Sequence, residues 1–290
     1  MRLAKSLIEF YALSLPYHRG KWRVIEALLK LSGVEAQDSR KAEVVKRGGL
    51  LWRLTPACLV QRRLYYHGAF DVNDLRELSA RLPKNPVFLD IGAYFGYYAY
   101  KIRDFVGPSA TVHAFEPVPA NFALLEENRT LNHFEDVQLH RTALSDREGT
   151  VEFEVPSEGN GGVGHIANSG TGGAVSVAVP CTTLDAFTQA QGLRGIDALK
   201  LDVEGAELQV IQGGAETLRN FKPVMLMELN PPCLARFGTN QEEVLRALRE
   251  LGYGFFRATP TGLAPFEGLN PEESYTNIIC LPKSDSAPGK

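Results

Sequence analysis

Five acidic residues of this 290-residue chain stand where a run of apolar or β-prone residues ends: Asp90 in VFLDIG, Glu116 after TVHAF, Asp202 and Glu204 after ALKL, and Glu228 in VMLMEL, two positions before Asn230. Gly92 and Gly96 follow the first of them, in VFLDIGAYFG. In an open α/β sheet, ligands bind beyond the carboxyl ends of the strands, so acids in these places face a ligand. A glycine turn at the same place lets the backbone approach it closely.

That ligand is not expected to be a dinucleotide. The dinucleotide fingerprint G-x-G-x-x-G lays a pyrophosphate on a helix N-terminus. Here the middle glycine is missing, Tyr94 stands where the phosphates need close approach, and Asp90 repels an anion. A ligand with a cationic centre fits better. S-adenosylmethionine has a sulfonium and an ammonium group and no phosphate. Glu116, at the end of the second strand, is then placed to accept hydrogen bonds from both ribose hydroxyls, as an acid does in dinucleotide folds.

The elements that must position these residues alternate after Pro86. Strands are predicted at Val87–Ile91, Thr111–Glu116, Val137–Ala143, Ala198–Asp202, Val224–Leu229, Tyr253–Arg257 and Thr276–Leu281. Helices are predicted at about Gly96–Phe105, Pro119–Asn132, Ala206–Leu218 and Gln241–Leu251, which makes the fold class α/β, a doubly wound, Rossmann-like parallel sheet. Gly149–Val155 and Ala174–Val179 alternate like edge strands around PSEGNGGVGHIANSGTGG, a glycine-rich loop. His113 and His140, inside strands, read as satisfied structural residues.

Ahead of this domain, residues 1–85 read as an accessory cap, mainly helical, with a hairpin turning at Gly48 and Gly49. The α/β domain is assigned residues 86–283, and residues 284–290 read as a disordered tail.

Four stretches in order carry a family resemblance: FLDIGAYFGYYA, VHAFEPVPANFALLEENRTLN, ALSDREG from Ala143, and TTLDAF followed by IDALKLDVEGAELQVIQGG, between Thr182 and Gly214. With them, the chain from about Tyr65 to Leu281 resembles the FkbM family of S-adenosylmethionine-dependent methyltransferases, of the class I sheet. The resemblance implies Asp90, Gly92 and Gly96, with Ala93 and Tyr94 between them, around the methionine part of the cofactor. It implies Glu116 on the ribose, with Pro117 and Asn121 beside it, and Ala143, Leu144 and Ser145 near the adenine. Asp202 and Glu204 would face the reacting centre. Tyr94 departs from the family, which often has asparagine there, and binding through the backbone survives that change.

Methyl transfer is an in-line displacement, so the protein must mainly align an acceptor, and for a hydroxyl acceptor it must also remove a proton. Asp202 is the leading base. His165, on the glycine-rich loop, is a second candidate, and Tyr94, Tyr97 and Tyr98 are candidate walls of the acceptor pocket. Asp202, Glu228 and Asn230 end neighbouring strands, an arrangement similar to metal-dependent catechol methyltransferases, and such oxygen ligands suit Mg²⁺. The metal-free alternative has Asp202 take the proton directly while Asn230 turns the chain into Pro231.

The expected activity is O-methylation of a hydroxyl on a sugar, polyketide or related secondary metabolite, the acceptor being a small molecule or glycan. The alternative is a non-catalytic S-adenosylmethionine- or nucleoside-binding module acting through a basic cap. Residues 1–66 hold 13 Lys/Arg against 5 Asp/Glu, whereas the remainder is net acidic. The basic segment is a candidate for peripheral contact with an anionic surface, against the plainer reading of solvated helix faces. The acidic domain lacks the basic, aromatic-interleaved face that nucleic acid requires. Four scattered cysteines, no convincing signal peptide and no uncharged apolar run of about 18 residues lead to an expectation of a cytoplasmic protein.

Overall fold

The computed structural model describes residues 2–15, 20–32, 41–156, 165–166, 174–269 and 273–283. It divides into two compact units, Met1–Asp71 with Pro156–Gly162, and Val72–Val155 with Val163–Lys290. The tail expected at 284–290 and most of the glycine-rich loop lie outside the described residues.

In the first unit, helices α1 (Arg2–Ser14) and α2 (Lys21–Ser32) precede a hairpin of β1 (Glu43–Arg47) and β2 (Leu50–Leu54). The hairpin turns on Gly48 and Gly49, whose φ values of 54° and 93° suit a two-residue turn that needs positive φ twice. Helix α3 (Leu59–His67) follows and stops at Gly68, whose N–H reaches the Leu64 carbonyl at 2.9 Å. Ile25, Leu29, Trp52, Leu54, Leu64, Tyr65 and Tyr66 are among the buried apolar groups of this unit.

The second unit opens with α4 (Val72–Ser79) and then builds β3 (Val87–Ile91), α5 (Tyr97–Val106), β4 (Thr111–Phe115), α6 (Pro119–Leu131) and β5 (Gln138–His140). Strands β6 (Ala143–Leu144), β7 (Gly149–Pro156), β8 (His165–Ile166) and β9 (Ala174–Thr182) leave the main sheet and form a four-stranded sheet of their own, ordered β6-β9-β7-β8. Helix α7 (Leu184–Ala190), β10 (Ala198–Leu201), α8 (Glu207–Gly213), α9 (Ala215–Phe221), β11 (Val224–Leu229), α10 (Pro231–Arg236) and α11 (Gln241–Glu250) restore the alternation, and β12 (Tyr253–Thr259), β13 (Gly262–Pro265) and β14 (Thr276–Pro282) complete it.

The eight-stranded sheet runs β13-β12-β14-β11-β10-β3-β4-β5. From β11 to β5 it is parallel, and its buried strands carry near-continuous apolar runs for that reason. The chain order reverses between β3 and β10, which puts a ligand crevice at their carboxyl ends. At the other edge β14 pairs antiparallel with both β11 and β12. The expected parallel sheet therefore ends in an antiparallel edge, because β12 and β13 are joined by a tight hairpin at Pro260–Thr261 rather than by a crossover helix. Leu89, Ile91, Leu199, Leu201, Met225 and Met227 from the central strands form one core with Val210, Ile211, Val244 and Leu248 from the helices. Among the described residues no helix is long and apolar enough to cross a membrane.

Candidate active site

The loop after β3 is fixed by backbone geometry. The N–H groups of Gly92 and Ala93 both donate to the Phe115 carbonyl, at 3.0 and 2.8 Å, and Gly96 N–H closes the turn on Ala93 at 2.8 Å. Asn128 Nδ2 holds the Phe95 carbonyl at 3.0 Å from behind. Glycine at these positions also answers to protein packing. A Cβ at Gly92 would lie 1.8 Å from the Asp202 carbonyl oxygen, and one at Gly96 would lie 2.2 Å from the Tyr100 ring. Close protein packing fills both places. Between them Tyr94 adopts φ 52°, a left-handed conformation that asparagine enters more easily than tyrosine.

Glu116 sits at the exit of β4 and anchors that loop. Its Oε2 accepts from Tyr94 N–H at 2.9 Å, and its Oε1 accepts from Val118 N–H at 2.9 Å and Asn121 Nδ2 at 3.3 Å. A carboxylate offers about four acceptor positions, so one remains for a ligand. Burial pushes the Glu116 carboxyl up to about 7, against the three donors that pull it down. Asn121 is buried and faces this carboxylate, and Pro117 is buried next to it. Ala143 packs in a small apolar cluster with Val118, whereas the Ser145 carbonyl lies where a Cβ on Gly213 would meet it, 2.0 Å away. Ala143 and Leu144 form a short strand rather than part of a turn.

A second cluster stands on the central strands. Lys200 of β10 is in register with Asp90 of β3, and strand alternation puts Lys200 and Asp202 on the same face. Leu226 is the register partner of Lys200 on β11, so Glu228, two residues on, also shares that face. Lys200 Nζ donates to Asp202 Oδ2 at 2.7 Å and lies 5.0 Å over the centre of the Tyr98 ring. Burial would lower the lysine, but Asp202 and Asp90 outweigh it and hold the ammonium above its ordinary range.

Asp90 is sealed inside. One oxygen accepts from Ala99 N–H at 2.9 Å, while Oδ1 is buried without a hydrogen-bond partner. Burial pushes Asp90 up to about 6, with Lys200 opposing. Glu228 is raised to about 9 by burial and then by Asp202 and Glu204, which favours its protonated form. Glu204, at φ 55° in a sharp turn, accepts from Cys233 Sγ at 3.3 Å, and burial followed by Asp202 raises it as well. The turn itself hangs on Glu207, whose Oε1 takes the N–H groups of Val203 and Gly205, both at 3.2 Å. The Asp202 side chain stays 27% exposed, so this carboxyl group opens to solvent.

The structure thus brings Asp90, Asp202, Glu204 and Glu228 to one rim. At Asp202, Glu228 and Asn230, the expected cation ligands, protein partners are present. Lys200 already occupies Asp202, and Asn230 uses its amide as the N-cap of α10, accepting from Cys233 N–H at 3.4 Å while Nδ2 donates to Glu228 Oε1 at 3.3 Å. Among the described residues no group of three His, Cys, Asp or Glu side chains converges on a metal position. His165 lies in β8, and its side chain is outside the described residues. Tyr97 and Tyr98 are buried, Tyr98 as the support for Lys200. His113 and His140 pair ring to ring at 3.0 Å inside the sheet, away from proton chemistry.

Sequence reasoning passed over Lys200 and Glu207. The signal for the first was present: a lysine inside an apolar strand run, two residues before an acid, needs a partner on its own face.

Residues 90–255 match the family described as the methyltransferase FkbM domain. The chain belongs to that family. The 2-O-methyltransferase NoeI of Sinorhizobium fredii is 34% identical to this FkbM-family chain over an alignment of 160 residues that covers 49% of this chain and 63% of that protein. Methyltransferase sdnD of Sordaria araneosa is 34% identical over 163 residues, 46% of this chain and 62% of its own length. The hexuronic acid methyltransferase AglP of Haloferax volcanii is 26% identical over 152 residues, 52% and 59% of the two chains. The match to this FkbM-family chain therefore spans less than two-thirds of each relative.

Proposed function

We propose that the protein is an S-adenosylmethionine-dependent O-methyltransferase whose acceptor is a hydroxyl of a sugar or related secondary metabolite. The observation that carries the reading is Asp202, an accessible carboxylate held by the buried Lys200 ammonium, at the reversal of strand order and beside the loop of Gly92. Family membership and the relatives named as a 2-O-methyltransferase and a hexuronic acid methyltransferase support it.

The residues present fit the cofactor. Two buried carboxyls, Asp90 and Glu116, end adjacent strands, and the unpartnered Asp90 Oδ1 and the open acceptor on Glu116 suit a ligand that brings positive charge and hydroxyl donors. When bound, S-adenosylmethionine supplies a methyl group already activated by its sulfonium. Glu116 takes a ribose hydroxyl while Tyr94 N–H keeps its other oxygen in place. Asp90 stabilises the ligand's positive charge from beneath as a buried neighbour. Asp202 accepts the proton of the acceptor hydroxyl, and Lys200 fixes that carboxylate toward the cleft. Glu228 is already protonated and acts as a neutral wall.

The proposed proton transfer to Asp202 is the metal-free route, and chelation separates it from the Mg²⁺ alternative at Asp202, Glu228 and Asn230. The four cysteines are unpaired and buried, in keeping with a reducing, cytoplasmic setting. The deciding experiment is Asp202→Asn, assayed with labelled cofactor and a panel of hydroxylated glycans and polyketides. The rate is expected to fall roughly 100-fold or more with cofactor affinity nearly intact, and chelator is expected to have no effect on the wild type. Full activity of the variant would remove Asp202 from the proton's path.

A further inference from the structure

We propose that the outward faces of the first two helices form a surface that seats on an anionic lipid bilayer. Helix α1 buries Ile8 and Ala12 on one side. On the other, Leu3, Leu7 and Phe10 recur at positions i, i+4 and i+7 and are 76%, 60% and 61% exposed. Among the described side chains of α1, every exposed position is apolar or serine. Helix α2 repeats the arrangement. It buries Ile25 and Leu29 and exposes Val24, Leu28 and Leu31, the last 86% open, with Arg23 and Lys30 as the exposed charges between them.

The acids of the two helices are turned away from these faces. Glu9 accepts from Tyr65 Oη at 2.7 Å, and Glu26 pairs with Arg62 at 3.2 Å. The result is an exposed surface of leucine, valine and phenylalanine with cations and no free carboxylate. A monomer in water has no use for a patch of this kind. It matches the requirement of an interfacial helix, apolar side chains entering the acyl boundary and Lys/Arg meeting anionic headgroups. A second copy of the chain is the weaker partner, because a two-fold contact would bring Arg23 and Lys30 toward their own counterparts with no acid to answer them.

Co-sedimentation of the full chain with vesicles tests this, using phosphatidylcholine alone and phosphatidylcholine mixed with phosphatidylglycerol. The protein is expected to pellet with the mixed vesicles, to do so weakly or not at all with the neutral ones, and to be released as salt rises. Leu7→Ser combined with Phe10→Ser should lower partitioning on the order of tenfold or more. Arg23→Gln with Lys30→Gln should weaken binding to mixed vesicles and flatten its salt dependence. All four side chains are exposed, so these variants retain the fold. Absence of binding to mixed vesicles, or unchanged binding of the Leu7/Phe10 variant, overturns the proposal. A concentration-dependent dimer in sedimentation velocity, lost in that same variant, would overturn it in favour of a second copy.

Discussion

Lys200→Met removes the one ammonium from a rim that holds four carboxyl groups, and its effect can be worked out from the surroundings. The lysine is buried, 2.7 Å from Asp202, and it is the leading influence opposing the upward shift of Asp90. Breaking a buried ion pair from one side costs about 3–5 kcal/mol, because a charge is left without compensation. Asp202 is partly solvated, so the lower end applies, about 3 kcal/mol at pH 8. The cost is pH-dependent in a defined direction. Without Lys200, Asp90 rises above its present value of about 6 and escapes the penalty by taking a proton. At pH 5 it is already protonated, and the loss should shrink to about 1 kcal/mol.

Urea unfolding followed by far-UV circular dichroism measures this. Tryptophan emission is unsuited, because Trp22 and Trp52 both lie in the first unit. Adding Asp90→Asn to Lys200→Met should recover part of the loss at pH 8, since it removes the stranded charge. A Lys200→Met protein as stable as wild type at pH 8, or one damaged more at pH 5 than at pH 8, would refute the reasoning.

Glu228 has a folded-state value of about 9 against an ordinary 4.5, so the native state holds a proton that the unfolded chain has given up. Its contribution to stability is therefore lost as pH rises above the ordinary carboxyl range. Glu228→Gln should flatten the fall in urea midpoint between pH 7 and 9, stabilise the protein there and leave methyl transfer largely intact, whereas a cation site would make the same change nearly as damaging as Asp202→Asn. Gly92→Ala should cost about 3 kcal/mol or more, from positive φ and from a Cβ driven against the Asp202 carbonyl, and should lower cofactor affinity in calorimetry. A Gly92→Ala protein of wild-type stability would show that the loop yields at that point.

Much of this was legible in the sequence because buried parallel strands need apolar runs and their exits need special residues. The central strands and the acids Asp90, Glu116, Asp202 and Glu228 were visible on that ground. Strand direction was not, since β14 has the same composition whether it runs with β11 or against it. The single helix expected at Ala206–Leu218 is two, broken at Gly214, because Gly213 and Gly214 must let Ser145 and Leu184 approach. Helix α7 was hidden by its length, although Thr183 caps it by accepting from Ala186 N–H at 3.0 Å. Asn230 is the N-cap of α10 ahead of Pro231, a role its position before two prolines made legible.

The proposal of Asp202 as proton acceptor rests on the unequal treatment of four acids that share one rim. A cluster of like charges cannot all be ionised in a low-dielectric place, so some must hold protons. Glu228 holds one, raised furthest by burial and by its neighbours, and a group already protonated cannot accept another. Glu204 is raised too and is engaged by the Cys233 thiol. Asp90 is sealed under the loop, out of reach of an acceptor. Asp202 alone combines access to the cleft with a cation in direct contact, and that cation sits on a tyrosine face with no freedom to leave. Lys200 therefore does two things at once: it holds the Asp202 carboxyl group in place by a direct hydrogen bond, and its positive charge opposes the upward shifts of Asp90, Glu204 and Glu228 around it.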